Sequence, residues 1–189
     1  MVQIAVIPGS NRKESFNRKL AACAVASLSS AGAQADFVDL RDFSLPLYDG
    51  DLEAEGMPPA VRDLRSRLRA ADGIVLVSPE YNASVPPLLK NALDWVSRPD
   101  AGDPGASAFD GKPVLLMSAS PGRLGGLRAQ TVWRTSLINL GLWVSPDGVA
   151  VGAAHEAFAE DGSLKDKGVQ KLMAEALTNL THAAERLKG

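Results

Sequence analysis

The chain has 189 residues, of which 46% are hydrophobic and 22% are charged, proportions that are ordinary for one globular domain. The 20 basic and 22 acidic residues leave a formal net charge of −2, which argues against a nucleic-acid partner, and the single cysteine, Cys23, excludes an internal disulfide. No apolar run approaches the roughly 20 residues that cross a bilayer and no basic leader precedes the first apolar run, so we expect a soluble, cytoplasmic protein without a membrane partner.

Short apolar segments along the chain are predicted to be strands. In chain order they are Val2–Ile7, Ala35–Asp39, Ile74–Val77, Val114–Met117, and a last strand near Leu142–Val144 or Val149–Val151. Most of them lack polar alternation, which is typical of parallel strands that are buried on both faces. The second segment is short and more polar, as an edge strand would be.

Helical patterns separate these strands. They cover Asn17 to about Ala31, a stretch that begins at Pro58-Pro59, Val85 to Arg98, and a C-terminal run from Val169 to Leu187. In the second helix, the apolar residues recur at spacings of three and four, and Arg62, Arg65 and Arg69 are interpreted as solvated. The alternation of strands and helices predicts one α/β domain over residues 1–189, with a doubly wound five-stranded parallel sheet and helices on both faces.

In the flavodoxin-like strand order 2-1-3-4-5, ligands bind beyond the carboxyl ends of the strands, between the first and third strands. The first loop, Gly9–Asn17, joins the first strand to a helix. Unpaired N–H groups at the helix start favour an anion, and the side chains of Ser10, Arg12, Ser15 and Asn17 add donors suited to a phosphate. The alternative is that Ser15 or Asn17 merely caps the helix.

Known phosphate motifs narrow the ligand of the first loop. A dinucleotide-binding turn needs G-x-G-x-x-G, and a P-loop needs a second glycine before Lys-Ser or Lys-Thr. Gly9 is the only glycine here, so the loop favours a monophosphate.

Two further loops follow the third and fourth predicted strands. The second loop, Ser78–Pro86, is a polar turn. Its backbone amides and Tyr81 could meet a flat heterocycle; the alternative is an ordinary strand-to-helix turn. The third loop, Ser118–Gly126, has three glycines in nine residues, which indicates either close approach to a ligand or a turn that needs positive φ.

Two motifs carry a resemblance to a known family. Gly9-Ser10-x-Arg12-x-x-Ser15-x-Asn17 resembles the phosphate-binding signature of the NADPH-dependent FMN reductases. The second signature of that family is similar to Pro79-Glu80-Tyr81-Asn82-x-Ser84-x-Pro86, followed by Leu89-Lys90-Asn91-Ala92-x-Asp94-Trp95. Neither motif departs from the family pattern, and the resemblance extends over the whole chain.

The resemblance implies an FMN site made by all three loops. The FMN phosphate would be held by Ser10, Arg12, Ser15, Phe16 (through its backbone) and Asn17. The isoalloxazine ring would be bordered by Pro79, Glu80, Tyr81 and Asn82, and on its opposite side by Ser118, Ser120, Gly122 and Gly125.

The resemblance also implies that the cofactor carries the chemistry. FMN would take a hydride from NADPH or NADH and pass it to a small acceptor, such as a quinone, chromate, or an azo or nitro compound, in a ping-pong cycle. No side chain is needed as a general acid or base. The alternatives are a flavodoxin-like electron carrier, which would usually be more acidic, and a flavin-binding or flavin-free module of the same fold.

Family members are typically homodimers or homotetramers. The helix over residues 85–98 is apolar more than halfway round, which predicts one face on the sheet and another on a partner chain; the alternative is one wide core face.

The remaining reactive residues suggest no other chemistry. His155 and His182 have no ligand cluster around them, so no metal site is expected, and Cys23 is interpreted as a small core residue. Asp36, Asp39 and Asp42 are interpreted as solvated or capping. The cation that would meet a 2′-phosphate of NADPH is left open among Arg41, Arg98, Arg123 and Arg128.

Overall fold

The computed structural model describes residues 1–188, and its framework is one five-stranded parallel sheet. Its strands are β1 (Gln3–Pro8), β2 (Gln34–Phe37), β3 (Gly73–Val77), β4 (Pro113–Ala119) and β5 (Trp143–Val151). They lie in the order β2-β1-β3-β4-β5, and every neighbouring pair is parallel. The predicted fold class and strand order are therefore confirmed.

The described residues contain six α-helices, five of which pack on the two faces of the sheet. They are α1 (Phe16–Ser30), α2 (Gly50–Glu55), α3 (Pro59–Ala70), α4 (Pro87–Val96), α5 (Leu127–Asn139) and α6 (Lys167–Leu187). The buried residues of α1 and α6 form one core with the sheet, and those of α3, α4 and α5 form the other. In residues 1–188, none of the helices has the length and apolar character to cross a membrane.

The last strand joins the two segments that the sequence offered as alternatives. β5 runs unbroken from Trp143 to Val151, but its register against β4 shifts between Val114 and Leu116. Pro146 lies in this irregular stretch and has no N–H to donate, and Arg134 donates to the carbonyl oxygen of Ser145 at 2.9 Å. The Ser-Pro-Asp interruption explains why one edge strand has the sequence pattern of two.

One helix arginine was misassigned. Arg65 of α3 was expected to be solvated, yet its side chain is only 3% exposed. Its guanidinium donates to the carbonyl oxygens of Val96 at 3.1 Å and Arg98 at 2.6 Å, so it satisfies backbone groups at the end of α4 that would otherwise be buried without partners. Arg62 and Arg69 are exposed and pair with aspartates.

The apolar residues of α4 pack against other parts of the same chain. The helix starts at Pro87, with Pro86 as its N-cap residue, and is shorter than the predicted 85–98. Leu89 and Leu93 pack in the core on the sheet, while Trp95 packs with Met57 and Val61 on the other side. The wide core face is thus present, and the contact of α4 with a partner chain stays a prediction.

Candidate functional site

Three loops meet at the carboxyl edge of the central strands. The amide of Gly9 donates to the carbonyl oxygen of Val77 at 2.8 Å, and the amide of Ser78 donates to that of Met117 at 2.8 Å. The side chain of Asn17 is hydrogen-bonded to the backbone of Ala119. The first, second and third loops are therefore adjacent, as the strand order requires.

The first loop presents buried hydroxyl groups beside the start of α1. Ser10 and Ser15 are each 4% exposed. Their Oγ atoms accept from the amides of Arg12 and Arg18, at 3.3 and 3.4 Å. A hydroxyl that accepts one bond keeps its own proton to donate, so Ser15 caps the helix and still has a donor for an anion. The capping interpretation and the phosphate interpretation are compatible at this residue.

The helix start itself supplies further donors. α1 begins at Phe16, after the N-cap residue Ser15, and the N–H groups of the first turn have no acceptor within the helix. The positive end of the helix dipole lies at the same place. The side chain of Arg12 is exposed and forms no ion pair within residues 1–188. This donor set, with one free cation and two hydroxyls, fits the phosphate of FMN.

The neighbouring cation Arg18 is already engaged. It donates to both carboxylate oxygens of Asp39, at 2.8 and 2.7 Å, and Arg41 binds the same carboxylate. The hydrogen bonds from Arg18 outweigh the effect of burial and hold the pKa of Asp39 well below its usual range. Asp39 is 8% exposed and caps the short helical turn at 40–42, so the expectation that it is solvated is wrong and the capping alternative is correct. The carboxylate of Asp36 is likewise not free in solvent, because it forms an ion pair with Arg67.

The tip of the second loop is a tight turn. Tyr81 and Ser84 exchange two backbone hydrogen bonds, of 3.0 and 2.9 Å. The residues between them, Asn82 and Ala83, have φ of 51° and 60°, the left-handed pair that a type I′ turn requires. Tyr81 is 45% exposed, whereas Pro79 is buried. The turn therefore projects an aromatic side chain at the edge of the site.

Glu80 has a task that the sequence did not indicate. Its side chain is 8% exposed, forms an ion pair with Arg128, and accepts from the amides of Arg128 and Ala129 at 3.1 and 3.4 Å. Burial favours a raised pKa, but the hydrogen bonds from Arg128 and the amides outweigh it, and the pKa of Glu80 is lowered. The carboxylate thus caps α5 and fixes the second loop to that helix.

The third loop contains the remaining predicted residues in different environments. Ser118 is fully buried, and its Oγ accepts from Gln130 at 2.6 Å, so it lies beneath the surface of the loop. The Oγ of Ser120 accepts from the amide of Gly122 at 3.3 Å. Gly125 has φ of 61°, and a Cβ there would lie 2.8 Å from the backbone of β5. The turn interpretation therefore explains Gly125, while Gly122 is exposed and a Cβ there would meet Ser120 Oγ at 3.7 Å.

Two side chains of α5 brace the strand ends beneath these loops, and sequence reasoning missed both. Gln130 donates to Ser118 Oγ and to the carbonyl oxygen of Val149, and Trp133 donates to Ser78 Oγ at 2.7 Å. The available signal was a glutamine and a tryptophan at helical spacing directly after a Gly-rich loop. Polar atoms this deeply buried must be paired, so these two residues fix where the second and third loops begin.

The segment after β5 also borders the first loop. Phe158 stacks on Phe16, with ring centroids 6.3 Å apart and an interplanar angle of 3°. The exposed His155 lies nearby in sequence, and its Nε2 is 3.3 Å from the carboxylate of Glu156. Residues 1–188 contain no group of three or more His, Cys, Asp or Glu that is placed to hold a metal.

One cavity lies away from the three loops. It is an open groove of about 1010 Å³ between α1 and α6 that contains Cys23 and His182. Cys23 Sγ donates to the carbonyl oxygen of Gly162 at 3.3 Å, and burial raises the pKa of the thiol. A protonated thiol is a poor nucleophile, so we place the functional site at the loops and not in this groove.

Comparison with known proteins agrees with this geometry. The chain is 42% identical to a quinone reductase of Pseudomonas putida over 166 aligned residues. These residues are 87% of this chain and 85% of the relative. It is 35% identical to an NAD(P)H-dependent FMN reductase of Pseudomonas aeruginosa, over 100% of this chain and 98% of the relative.

A solved structure and a family model give the same result. The flavoenzyme FerB of Paracoccus denitrificans, an NAD(P)H:acceptor oxidoreductase, superposes with a TM-score of 0.83 at 31% identity and covers 98% of both chains. The family model described as NADPH-dependent FMN reductase matches residues 2–156, which include all three loops. The chain therefore belongs to the NADPH-dependent FMN reductase family.

Proposed function

We propose that this protein is an FMN-dependent NAD(P)H oxidoreductase that reduces a quinone. The proposal rests on one observation. The start of α1, where an anion would bind, lies against the second and third loops at one edge of the sheet. Relatives that are quinone reductases, such as the one from Pseudomonas putida, favour a quinone over chromate, azo or nitro compounds as the acceptor.

Bound FMN would supply the redox chemistry, accepting a hydride from the nicotinamide and delivering the electrons to the acceptor. The protein residues hold and orient the cofactor. Ser10, Ser15, Arg12 and the first amides of α1 would bind the phosphate. The backbone of the turn at 81–84 and the exposed backbone at Gly122 would border the ring.

We expect the chain to need no general acid or base, because the flavin would carry the chemistry. Glu80 is the carboxylate that lies closest in sequence to the ring-side turn, and it is committed to Arg128 and to the start of α5. Its lowered pKa keeps it ionised at neutral pH. The contribution of the chain is therefore position and electrostatics.

Of the four arginines considered for the 2′-phosphate of NADPH, three already have partners within the chain. Arg41 binds Asp39, Arg98 lies over the ring of Tyr48, and Arg128 pairs with Glu80. Arg123 is exposed in the third loop and forms no ion pair with any residue in 1–188. Arg123 is therefore our candidate for the 2′-phosphate of NADPH.

Anaerobic mixing of the FMN-loaded protein with NADPH tests the proposal. The flavin absorbance should bleach, and 1,4-benzoquinone should restore it. A yellow solution that NADPH and NADH leave unchanged would instead indicate an electron carrier. Failure of the apoprotein to take up FMN at all would indicate a flavin-free module and would contradict the phosphate site.

Assembly as a homodimer or homotetramer stays a prediction. On α4 only Leu88 is a half-buried leucine, whereas Ile138 of α5 is 63% exposed and Trp143 of β5 is 64% exposed. Light scattering on the purified protein gives the mass. If Ile138→Glu dissociates the assembly while Leu88→Glu does not, the contact is not made by α4.

A further inference from the structure

We propose that Asn17 is a positioning residue that joins the phosphate side of the FMN site to its ring side. Its side chain would not bind the phosphate, although the resemblance assigns it there. The inference rests on the proposed function, because it concerns how the same site holds FMN. It deepens that function by assigning this residue a separate task.

The side chain of Asn17 is already paired with one peptide group on each side of Ala119. Its Nδ2 donates to the carbonyl oxygen of Ala119 at 2.9 Å, and its Oδ1 accepts from the amide of Ala119 at 2.9 Å. Asn17 is 4% exposed. One of the two Nδ2 protons and the Oδ1 atom are thus used in a buried pair, which is costly to break and fixes the orientation of the amide.

The partner explains why the pair exists. Pairing of β4 with β3 ends at Val77 and Met117, so the backbone of Ala119, two residues later, extends past the end of β3. A buried backbone amide and carbonyl need partners. The amide group of Asn17 supplies one donor and one acceptor, as the next residue of a strand would.

The pair connects two functional ends of the site. Asn17 is the second residue of α1, where the free amides face the anion, and Ala119 directly precedes Ser120 in the third loop. In the proposed site, FMN would have its phosphate at the start of α1 and its ring beside the third loop. Asn17 therefore fixes the separation between the phosphate donors and the ring-side loop.

Two flavins distinguish a positioning residue from a phosphate ligand. Riboflavin has the ring and ribityl chain of FMN but no phosphate. In titrations of the apoprotein, Asn17→Ala should weaken both FMN and riboflavin by roughly tenfold or more, the scale of two lost buried hydrogen bonds. Arg12→Ala is the matched control, and it should weaken FMN and leave riboflavin unchanged. The visible band of bound flavin should shift in Asn17→Ala and not in Arg12→Ala.

A second variant guards against a folding defect. Asn17→Asp keeps the side-chain shape and the acceptor for the Ala119 amide but loses the donor, so it should also weaken riboflavin. If both variants are folded by circular dichroism and bind riboflavin like the wild type, the positioning role is refuted and Asn17 is a phosphate ligand or has no role. If the wild-type apoprotein binds neither flavin, the proposed function fails as well.

Discussion

Replacing Ala83 by glycine should stabilise the protein, because the turn at the tip of the second loop holds Ala83 in the left-handed conformation, which suits glycine better. Ala83 is exposed and has φ of 60°. The left-handed conformation costs a residue with a Cβ about 1–2 kcal/mol. Glycine avoids this cost but loses about 0.4–1 kcal/mol through the greater freedom of the unfolded chain. The net gain is about 0.5–1 kcal/mol, or roughly 1–4 °C in Tm for a chain of this size.

The chain contains a matched control for this change. Asp100 and Asp103 exchange two backbone hydrogen bonds of 2.8 Å, in the same way as Tyr81 and Ser84, and the third residue of that turn is Gly102, with φ of 86°. A Cβ at Gly102 would meet nothing within 4 Å, so Gly102→Ala tests conformation alone and should destabilise by a similar amount. Calorimetry and urea unfolding of the apoproteins measure both changes. A loss of stability in Ala83→Gly, with the expected loss in Gly102→Ala, would show that the Ala83 side chain has a packing role and would refute the reasoning.

Three further outcomes are expected. Arg12→Ala should weaken FMN binding by about 1.5–3 kcal/mol, the value of a charge-assisted hydrogen bond, and a variant that purifies with full flavin would contradict the phosphate site. Arg123→Ala should raise the KM for NADPH about tenfold, as one charge-assisted bond implies, and should leave the KM for NADH unchanged in steady-state assays; an equal rise for both would exclude the 2′-phosphate. Asp39→Asn should lower the free energy of unfolding at pH 7 by about 3 kcal/mol, because it leaves Arg18 without its buried partner. Since the pKa of Asp39 is lowered in the folded state, its contribution is complete above the unfolded pKa near 4 and is lost progressively as the pH falls from there through the lower pKa of the folded state. Urea titrations below about pH 4 should therefore show the two proteins converging; a constant difference would argue against the ion pair as the cause.

The sequence was sufficient for the framework and for the meeting of the three loops at one edge of the sheet. β3 and β4 are uninterrupted apolar runs, which only a sheet covered on both faces buries, and the strand order then places three loops at one edge. The helix α5 was not predicted, because its outer face carries Val132 and Ile138, both exposed, and this blurs the apolar stripe.

The sequence did not predict individual side-chain partners. Glu80 was assigned to the ring, but its contact with α5 depends on a helix that the pattern did not reveal. Arg65 was misplaced because periodicity separates apolar from polar residues and cannot show that a cation will meet the carbonyl oxygens at the end of α4. Such contacts arise only when distant segments pack, so local patterns do not encode them visibly.

The irregular edge of β5 has a consequence for behaviour at high concentration. A free parallel edge offers a row of donors and acceptors on which a strand of another molecule can grow. Here Pro146 removes one donor, and Arg134 occupies the carbonyl oxygens of Ser145 and Pro146, at 2.9 and 3.4 Å. This margin of the sheet is thereby a poor template for fibril growth, and the fold can keep its apolar central strands without the aggregation that an open border would invite.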